Sequence, residues 1–476
     1  MTRLAPRIAF LLLPAVLAAC TPFESLWRKI PRPADKDKAA TETPAPPTLP
    51  LAQATHRFVV SPDQDVVGTL QVTNAYHKDT FADIARRFNV GYAELVRANP
   101  GVDPWLPGEG TQIVLPTEFI LPDAPREGLV LNLAAMRLYY YPKRPKGAPK
   151  DGPTEVYTHP IGIGKVGWAT PEGSTKVVSH VKDPVWTPPV SVRKEHAKDG
   201  DILPDKVPPG PENPLGRHMM RLGWPSYLVH GTNKPPAVGM RASAGCIRLY
   251  PEDIARIYEL VPDGTNVTVV NQPYLLGWRG DRLLLQANEP LVDDQRDWSD
   301  VPKSLRQNTK KPVTPRWKKV AEHAAAIDWE RIGSAAAELR GIALAVGPGT
   351  HPDFTATLAA APRVRNAIPA GSNWDGVEDQ YAGDPQFAKP AEGEKADDGT
   401  FTAADLAPIG DPKSPPLPVD ISLSADDRFL FVSSFLDGTV RVFDVSDPRK
   451  PVVAHEQKIG KQLNMVSQSW DGKRVY

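Results

Sequence analysis

Apolar and polar positions follow different periods along the chain, and each change of period marks a change of architecture. Phe81, Ile84, Ala85 and Phe88 recur at i, i+3, i+4 and i+7, the spacing of one helix face, directly after Asp79-Thr80, a pair able to cap a helix start. A second short helix is predicted over 92–98, stopped by Asn99-Pro100, and 112–116 reads as a strand. From 127 to 271 the pattern shifts to short apolar runs between turn residues. A hairpin is predicted from 129–133 and 136–141, with strands at 155–161, 175–181, 225–230 and 266–270. One helix interrupts them, opening at Pro251-Glu252-Asp253 with proline first and acids in the first turn. Its apolar face is Ile254, Ile257, Tyr258 and Val261. Residues 188–214, dense in proline and charge, read as a loop over the β-rich region, and 234–239 as a breaker-rich loop. Further on, Trp317, Val320, Ala324 and Ile327 predict a helix over 317–327, and 391–398 is a solvated polar stretch.

Composition adds boundaries. The chain has 476 residues, room for two to four domains, and its 53 prolines are about twice the usual share, as linkers between compact pieces require. Its 56 basic and 56 acidic residues cancel, so nothing steers it toward nucleic acid. Arg3 and Arg7 precede an apolar run over 8–19. That run is shorter than the about 20 residues a bilayer span needs, but suits a secretory signal. It ends Leu17-Ala18-Ala19-Cys20, which resembles a bacterial lipobox. The resemblance implies cleavage of a signal peptide at 1–19 and acylation of Cys20, a lipid anchor in a membrane. Thr21 follows instead of the aspartate of inner-membrane retention, so the expected place is the periplasm, on the inner leaflet of the outer membrane. Residues 20–55 are then a proline-rich tether. Cys246 is left as a free thiol in an oxidising compartment, where reactivity is the usual reason to keep one.

That cysteine sits in the stretch the chain is organised around: His230-Gly231-Thr232-Asn233, a loop, then Ser243-Ala244-Gly245-Cys246-Ile247-Arg248. A thiol attacks as thiolate, and its free pKa is about 8.5, so a neighbouring imidazole that takes the proton makes covalent acyl transfer feasible. The following helix would add a dipole favouring the thiolate. The segment resembles the catalytic signature of the L,D-transpeptidases (YkuD type). In the NlpC-type cysteine peptidases, a chemical rival, the cysteine precedes the histidine; here the order is reversed. The resemblance implies Cys246 as nucleophile, His230 as general base and acid, and the Gly231 carbonyl as the group orienting His230. It implies Arg248, Ser243, Gly245 and Asn233 as substrate-binding residues, Arg248 holding a carboxylate, with backbone N–H groups around Gly245 and Cys246 as oxyanion donors. Many members carry a second histidine where this chain has Ala244. The Gly162–Lys165 and Trp168–Gly173 segments, as in the family, frame the groove.

The implied fold is multidomain and mainly β. A β-sandwich-like catalytic domain spans 127–271, and a small βααβ unit over 71–116 resembles a LysM domain, which implies binding to N-acetylglucosamine-containing glycan. The implied partners are peptidoglycan stem peptides and glycan, and a small lysine-terminated outer-membrane lipoprotein; no cofactor or metal is implied. The implied reaction forms a Cys246 thioester at the diaminopimelate–D-alanine bond of a stem tetrapeptide. An amine then resolves it, giving 3→3 cross-links or lipoprotein attachment. The alternative is a glycan-binding lipoprotein with an inactive catalytic domain, against which intact His230, Cys246 and Arg248 speak. A C-terminal extension with one helix is expected over 272–370 and a polar linker over 371–414. Over 415–476, Ser424–Phe431 and Ser469–Tyr476 look like one turn-and-strand unit repeated after about 45 residues, a propeller-blade period. With 442–448 this end resembles the selenium-binding-protein/methanethiol-oxidase family. One or two blades cannot close a propeller, so a truncated fragment or chimeric reading frame is expected rather than a working oxidase.

Overall fold

The alternating runs of 127–271 assemble into a nine-stranded mixed sheet in the computed structural model, which describes residues 49–149, 152–198, 202–347, 349–350, 353–387, 418–423, 428–434, 439–447 and 450–458. The strand order is Ile247–Arg248, Leu228–His230, His218–Leu222, Gly173–Lys182, Asn266–Val270, Gly128–Asn132, Arg137–Tyr141, Thr154–Pro160 and Arg57–Val60. Gly173–Lys182 turns a corner. Its first four residues pair with Asn266–Val270 and the rest with His218–Leu222. A strand shared in this way lets two sheet halves fold face to face. Leu131 and Val267 from one half and Met220, Val229 and Ile247 from the other meet in one core, sealed by Ile254 and Ile257 of the helix Pro251–Leu260. This is the sandwich-like arrangement expected of the β-rich region.

Ahead of it, Gln71–Asn74 pairs antiparallel with Gln112–Leu115 around the helices Phe81–Arg87 and Tyr92–Ala98. Thr80 caps the first helix through a reciprocal box with Asp83, while Asp79 turns away to Tyr76 N and Arg87. The unit is bolted to the nine-stranded sheet and to the helix Pro251–Leu260. Buried Arg137 donates two hydrogen bonds of 2.8 Å to Glu94, Asn89 donates to Asp253, and Arg86 pairs with Glu252. The amides of Tyr92 and Ala93 donate to the carbonyls of Val238 and Gly239, in the loop between His230 and Cys246. Gly239 has φ +83°, and a Cβ there would lie 2.4 Å from Gly91 Cα, so only glycine permits this approach.

Several expectations need correction. The tether does not run to residue 55: Leu51–Gln53 pairs with Arg365–Ala370, and Arg57–Val60 is the sheet's outer strand. The loop 188–214 contains a helix, Val190–Lys198, hidden from periodicity because only Val192 is buried. The helix expected over 317–327 is Pro315–Glu322. It stops at His323, the chain turns so that Ile327 still reaches the same core, and Asp328 caps a further helix, Trp329–Ala337. These helices pack with Val301–Lys310 on a sheet of Tyr274–Arg279, Arg282–Ala287 and Ala343–Ala345, so the extension has a core of its own. The polar linker begins as packed chain: Tyr381 is buried and its hydroxyl donates to Gly210 O at 2.8 Å. Beyond it, Pro418–Leu423, Phe429–Ser434, Thr439–Asp444 and Val452–Lys458 form one antiparallel four-stranded meander. The signal peptide, Cys20, most of the tether, the linker from 388 and the second repeat at 469–476 lie outside the described residues.

Candidate active site

Leu228–His230 runs parallel to Ile247–Arg248, with Val229 opposite Ile247 and His230 opposite Arg248. Val229 and Ile247 are fully buried on the core side. Strand side chains alternate, so Leu228, His230, Cys246 and Arg248 share the other face. Extending the register by one residue sets Cys246 beside Leu228. The thiol and the imidazole then stand on the same face of adjacent strands, two positions out of register.

His230 is 3 % exposed, and its Nδ1 lies 2.6 Å from Gly231 O. A carbonyl only accepts, so Nδ1 carries the hydrogen and Nε2 keeps the lone pair of the neutral ring. Burial pushes the imidazole pKa down to about 3, helped by the Arg248 cation and opposed by the carbonyls of Gly231 and Leu215. The Cys246 thiol is free and partly exposed, and donates to Ser226 O at 3.6 Å. Burial pushes its pKa up, with the Leu228 N–H and Arg248 pulling the other way. At rest the two groups are therefore a thiol and a neutral imidazole, not a preformed thiolate and imidazolium. The strand Ile247–Arg248 separates Cys246 from the helix Pro251–Leu260, so the expected dipole effect, which fades within a helix's first turn, is lost.

Arg248 is pinned across from His230 by reciprocal backbone bonds with Gly162, 2.8 and 3.0 Å. Its buried Nε has no hydrogen-bond partner, and its guanidinium pairs with no carboxylate among the described residues. Burial pushes its pKa down. A cation so placed is unsatisfied until an anion arrives.

Of the other residues assigned to substrate, Ser243 and Gly245 prove to shape the loop. Ser243 is 2 % exposed, and its hydroxyl donates to Cys246 O at 2.5 Å while accepting from Gly245 N at 3.2 Å. The Gly245 N–H is thereby occupied, which removes it as an oxyanion donor. Gly245 has φ +103°, and a Cβ there would lie 3.0 Å from the Tyr227 ring. Asn233 stands half-buried on the loop and makes no side-chain hydrogen bond to any described residue. Two contributors escaped sequence reasoning. Thr170 donates to Gly245 O at 2.8 Å, and Gln380 donates from Nε2 to Thr232 O at 3.1 Å, next to the carbonyl that orients His230. Thr170 lies in the glycine-flanked segment 168–173, a usable signal; Gln380 has none nearby. Among the described residues no His, Cys, Asp or Glu cluster is arranged to hold a metal.

Comparison with known proteins gives two separate likenesses. The profile of the L,D-transpeptidase catalytic domain matches residues 126–269, and that of the 56kDa selenium binding protein matches 394–476. The chain is 42 % identical over 220 residues to the probable L,D-transpeptidase YcfS of Escherichia coli, covering 44 % of this chain and 66 % of that protein, just under two thirds. It is 35 % identical over 318 residues to the probable L,D-transpeptidase ErfK/SrfK of the same organism, covering 66 % of this chain and 96 % of that one. Its far end is 58 % identical over 80 residues to the methanethiol oxidase of Ruegeria pomeroyi, which is 17 % of this chain and 18 % of that protein.

Proposed function

Because this chain belongs to the L,D-transpeptidase family, we propose that it transfers acyl groups of peptidoglycan stem peptides through a thioester on Cys246. The observation that carries the reading is the shared strand face on which Cys246, His230 and the unpaired Arg248 stand together. His230 Nε2 takes the thiol proton as sulfur attacks the carbonyl between diaminopimelate and D-alanine, and returns it to the departing D-alanine amine. With the Gly245 N–H occupied, the backbone N–H of Cys246 is the donor left for the tetrahedral oxyanion. Arg248 holds the stem peptide's carboxylate by a charge-assisted bond. An acceptor amine, deprotonated by the same histidine, then resolves the thioester.

The acceptor is either a second diaminopimelate side chain or the terminal lysine of an outer-membrane lipoprotein. The protein acts in the periplasm, held by acylated Cys20. The βααβ unit, through its bonds to Val238 and Gly239, supports the loop between His230 and Cys246 as well as offering a surface for glycan. Intact-mass measurement after incubation with a carbapenem tests the core of the proposal. One acyl adduct is expected on the wild-type chain and none on Cys246→Ala; equal labelling of both ends the nucleophile assignment. Muropeptide profiles of a deletion strain distinguish the two acceptors.

A further inference from the structure

After the strand Arg365–Ala370 the chain leaves the extension and runs back across the β-rich domain. Its first part is anchored away from the site. Asn373 donates to Asp253 at 3.0 Å, Trp374 lies 4.7 Å from the Arg86 guanidinium, and Glu378 pairs with that same arginine at 2.5 Å. Its second part grips two pieces of backbone. The first is 210–217. The Tyr381 hydroxyl donates to Gly210 O, and Arg217, already paired with Asp183, reaches Asp384 at 2.5 Å and Gln380 O at 3.4 Å. The Tyr381 and Phe387 rings close on that guanidinium, with centres 5.1 and 5.5 Å away. The second piece is the turn after His230. Gln380 Nε2 donates to Thr232 O at 3.1 Å, and among the described residues no other donor meets that buried carbonyl. The amide cannot be reversed, since oxygen would then face oxygen.

Both pieces carry a carbonyl that meets His230. Gly231 O lies 2.6 Å from Nδ1, and the Leu215 carbonyl bonds the imidazole as well. The peptide group bearing Gly231 O is bracketed. On one side the Gly231 N–H donates to His218 O at 3.0 Å, and on the other Gln380 holds Thr232 O. The two pieces also abut, for a Cβ on Gly216 would lie 2.9 Å from Thr232 N and 3.3 Å from Gln380 Oε1. We propose that Gln380 is a positioning residue for His230, and that residues 380–387, reaching back from beyond the C-terminal extension, keep the imidazole in its working tautomer. Without the Gln380 bond the bracketed peptide is free to turn, and the Gly231 carbonyl turns with it. The bond at Nδ1 decides which nitrogen keeps the lone pair, so a turned carbonyl loses both the tautomer and the aim of the ring. The effect on rate rests on the acyl-transfer reading; the effect on the ring stands on the backbone contacts alone.

Carbapenem acylation of the full chain, followed to saturation, tests it by comparing the wild type with Gln380→Ala and Gln380→Glu. The second variant is nearly isosteric but cannot donate while ionised. At neutral pH the limiting rate is expected to fall about fivefold in both, with the half-saturating concentration unchanged. Relative to the wild type at the same pH, Gln380→Glu should recover as pH falls toward about 4.3, where the carboxyl regains an O–H to donate. Gln380→Ala should not. In histidine-labelled protein the His230 Nδ1–H resonance, assigned by its absence from His230→Gln, should move or broaden in both variants at neutral pH. The proposal is overturned if both variants keep the limiting rate within twofold of the wild type. It is also overturned if the rate falls together with the melting temperature while the Nδ1–H resonance stays in place. A wild type that a carbapenem cannot acylate, but whose Nδ1–H resonance moves in Gln380→Ala, sinks the acyl-transfer reading and leaves the positioning of His230 standing.

Discussion

Replacing Ser243 by alanine isolates the contribution of one hydroxyl to the reactive loop. Ser243 Oγ satisfies both the Cys246 carbonyl and the Gly245 N–H, in a loop that Gly245 bends into left-handed backbone. Each hydrogen bond is worth about 1 kcal/mol net, so their joint loss costs about 2 kcal/mol. The Thr170 bond to Gly245 O remains and keeps the loop from collapsing outright. If the whole cost falls on the geometry needed for attack, Cys246 acylation slows about thirtyfold. If it falls on the folded state, the melting temperature drops by about 4–8 °C. Stopped-flow acylation by a carbapenem, paired with a thermal melt of each variant, reads both quantities. Ser243→Thr keeps the hydroxyl and should recover much of the rate. Acylation within twofold of the wild type and an unchanged melt together would show that the hydroxyl does not shape this loop.

Three further outcomes follow from burial of polar groups. Burial lowers the folded-state pKa of His230 to about 3 and of His56 to about 4, from an ordinary value of 6.5. Protonation therefore favours the unfolded chain: their contribution is complete above pH about 6.5 and is lost progressively as pH falls through about 4 and about 3. Denaturant midpoints taken across that range should fall with acid and fall less in His230→Gln; a flat profile contradicts the burial argument. Because the Cys246 pKa is raised, its alkylation by iodoacetamide should keep climbing past pH 9, and a plateau near neutrality would reveal a thiolate–imidazolium pair instead. Lastly, Glu94→Ala strands the almost fully buried Arg137 guanidinium and should destabilise the chain by about 3–5 kcal/mol in denaturant titration, whereas a loss under about 1 kcal/mol would mean the ion pair is not what joins the βααβ unit to the sheet.

Short-range order was legible from the residues alone. The apolar spacing after Asp79-Thr80 and Pro251 marked two helices, and the alternating runs marked most strands of the β-rich region, because side-chain periodicity is a local property of the backbone. The roles proposed for His230, Cys246 and Arg248 could be read there too, because residue types and glycines stand at fixed offsets along the chain. What the tertiary structure alone decided is direction and satisfaction. The parallel register of Leu228–His230 on Ile247–Arg248 put the thiol and imidazole on one face. Burial made that pair neutral, the Ser243 hydroxyl turned inward rather than to substrate, and Gln380 arrived from 148 residues away to hold Thr232. The polar helix Val190–Lys198 and the core under the C-terminal extension were likewise settled by packing. Hydrogen-bond partners across a fold are chosen by which surfaces meet, and a residue's neighbours in sequence carry no record of that choice.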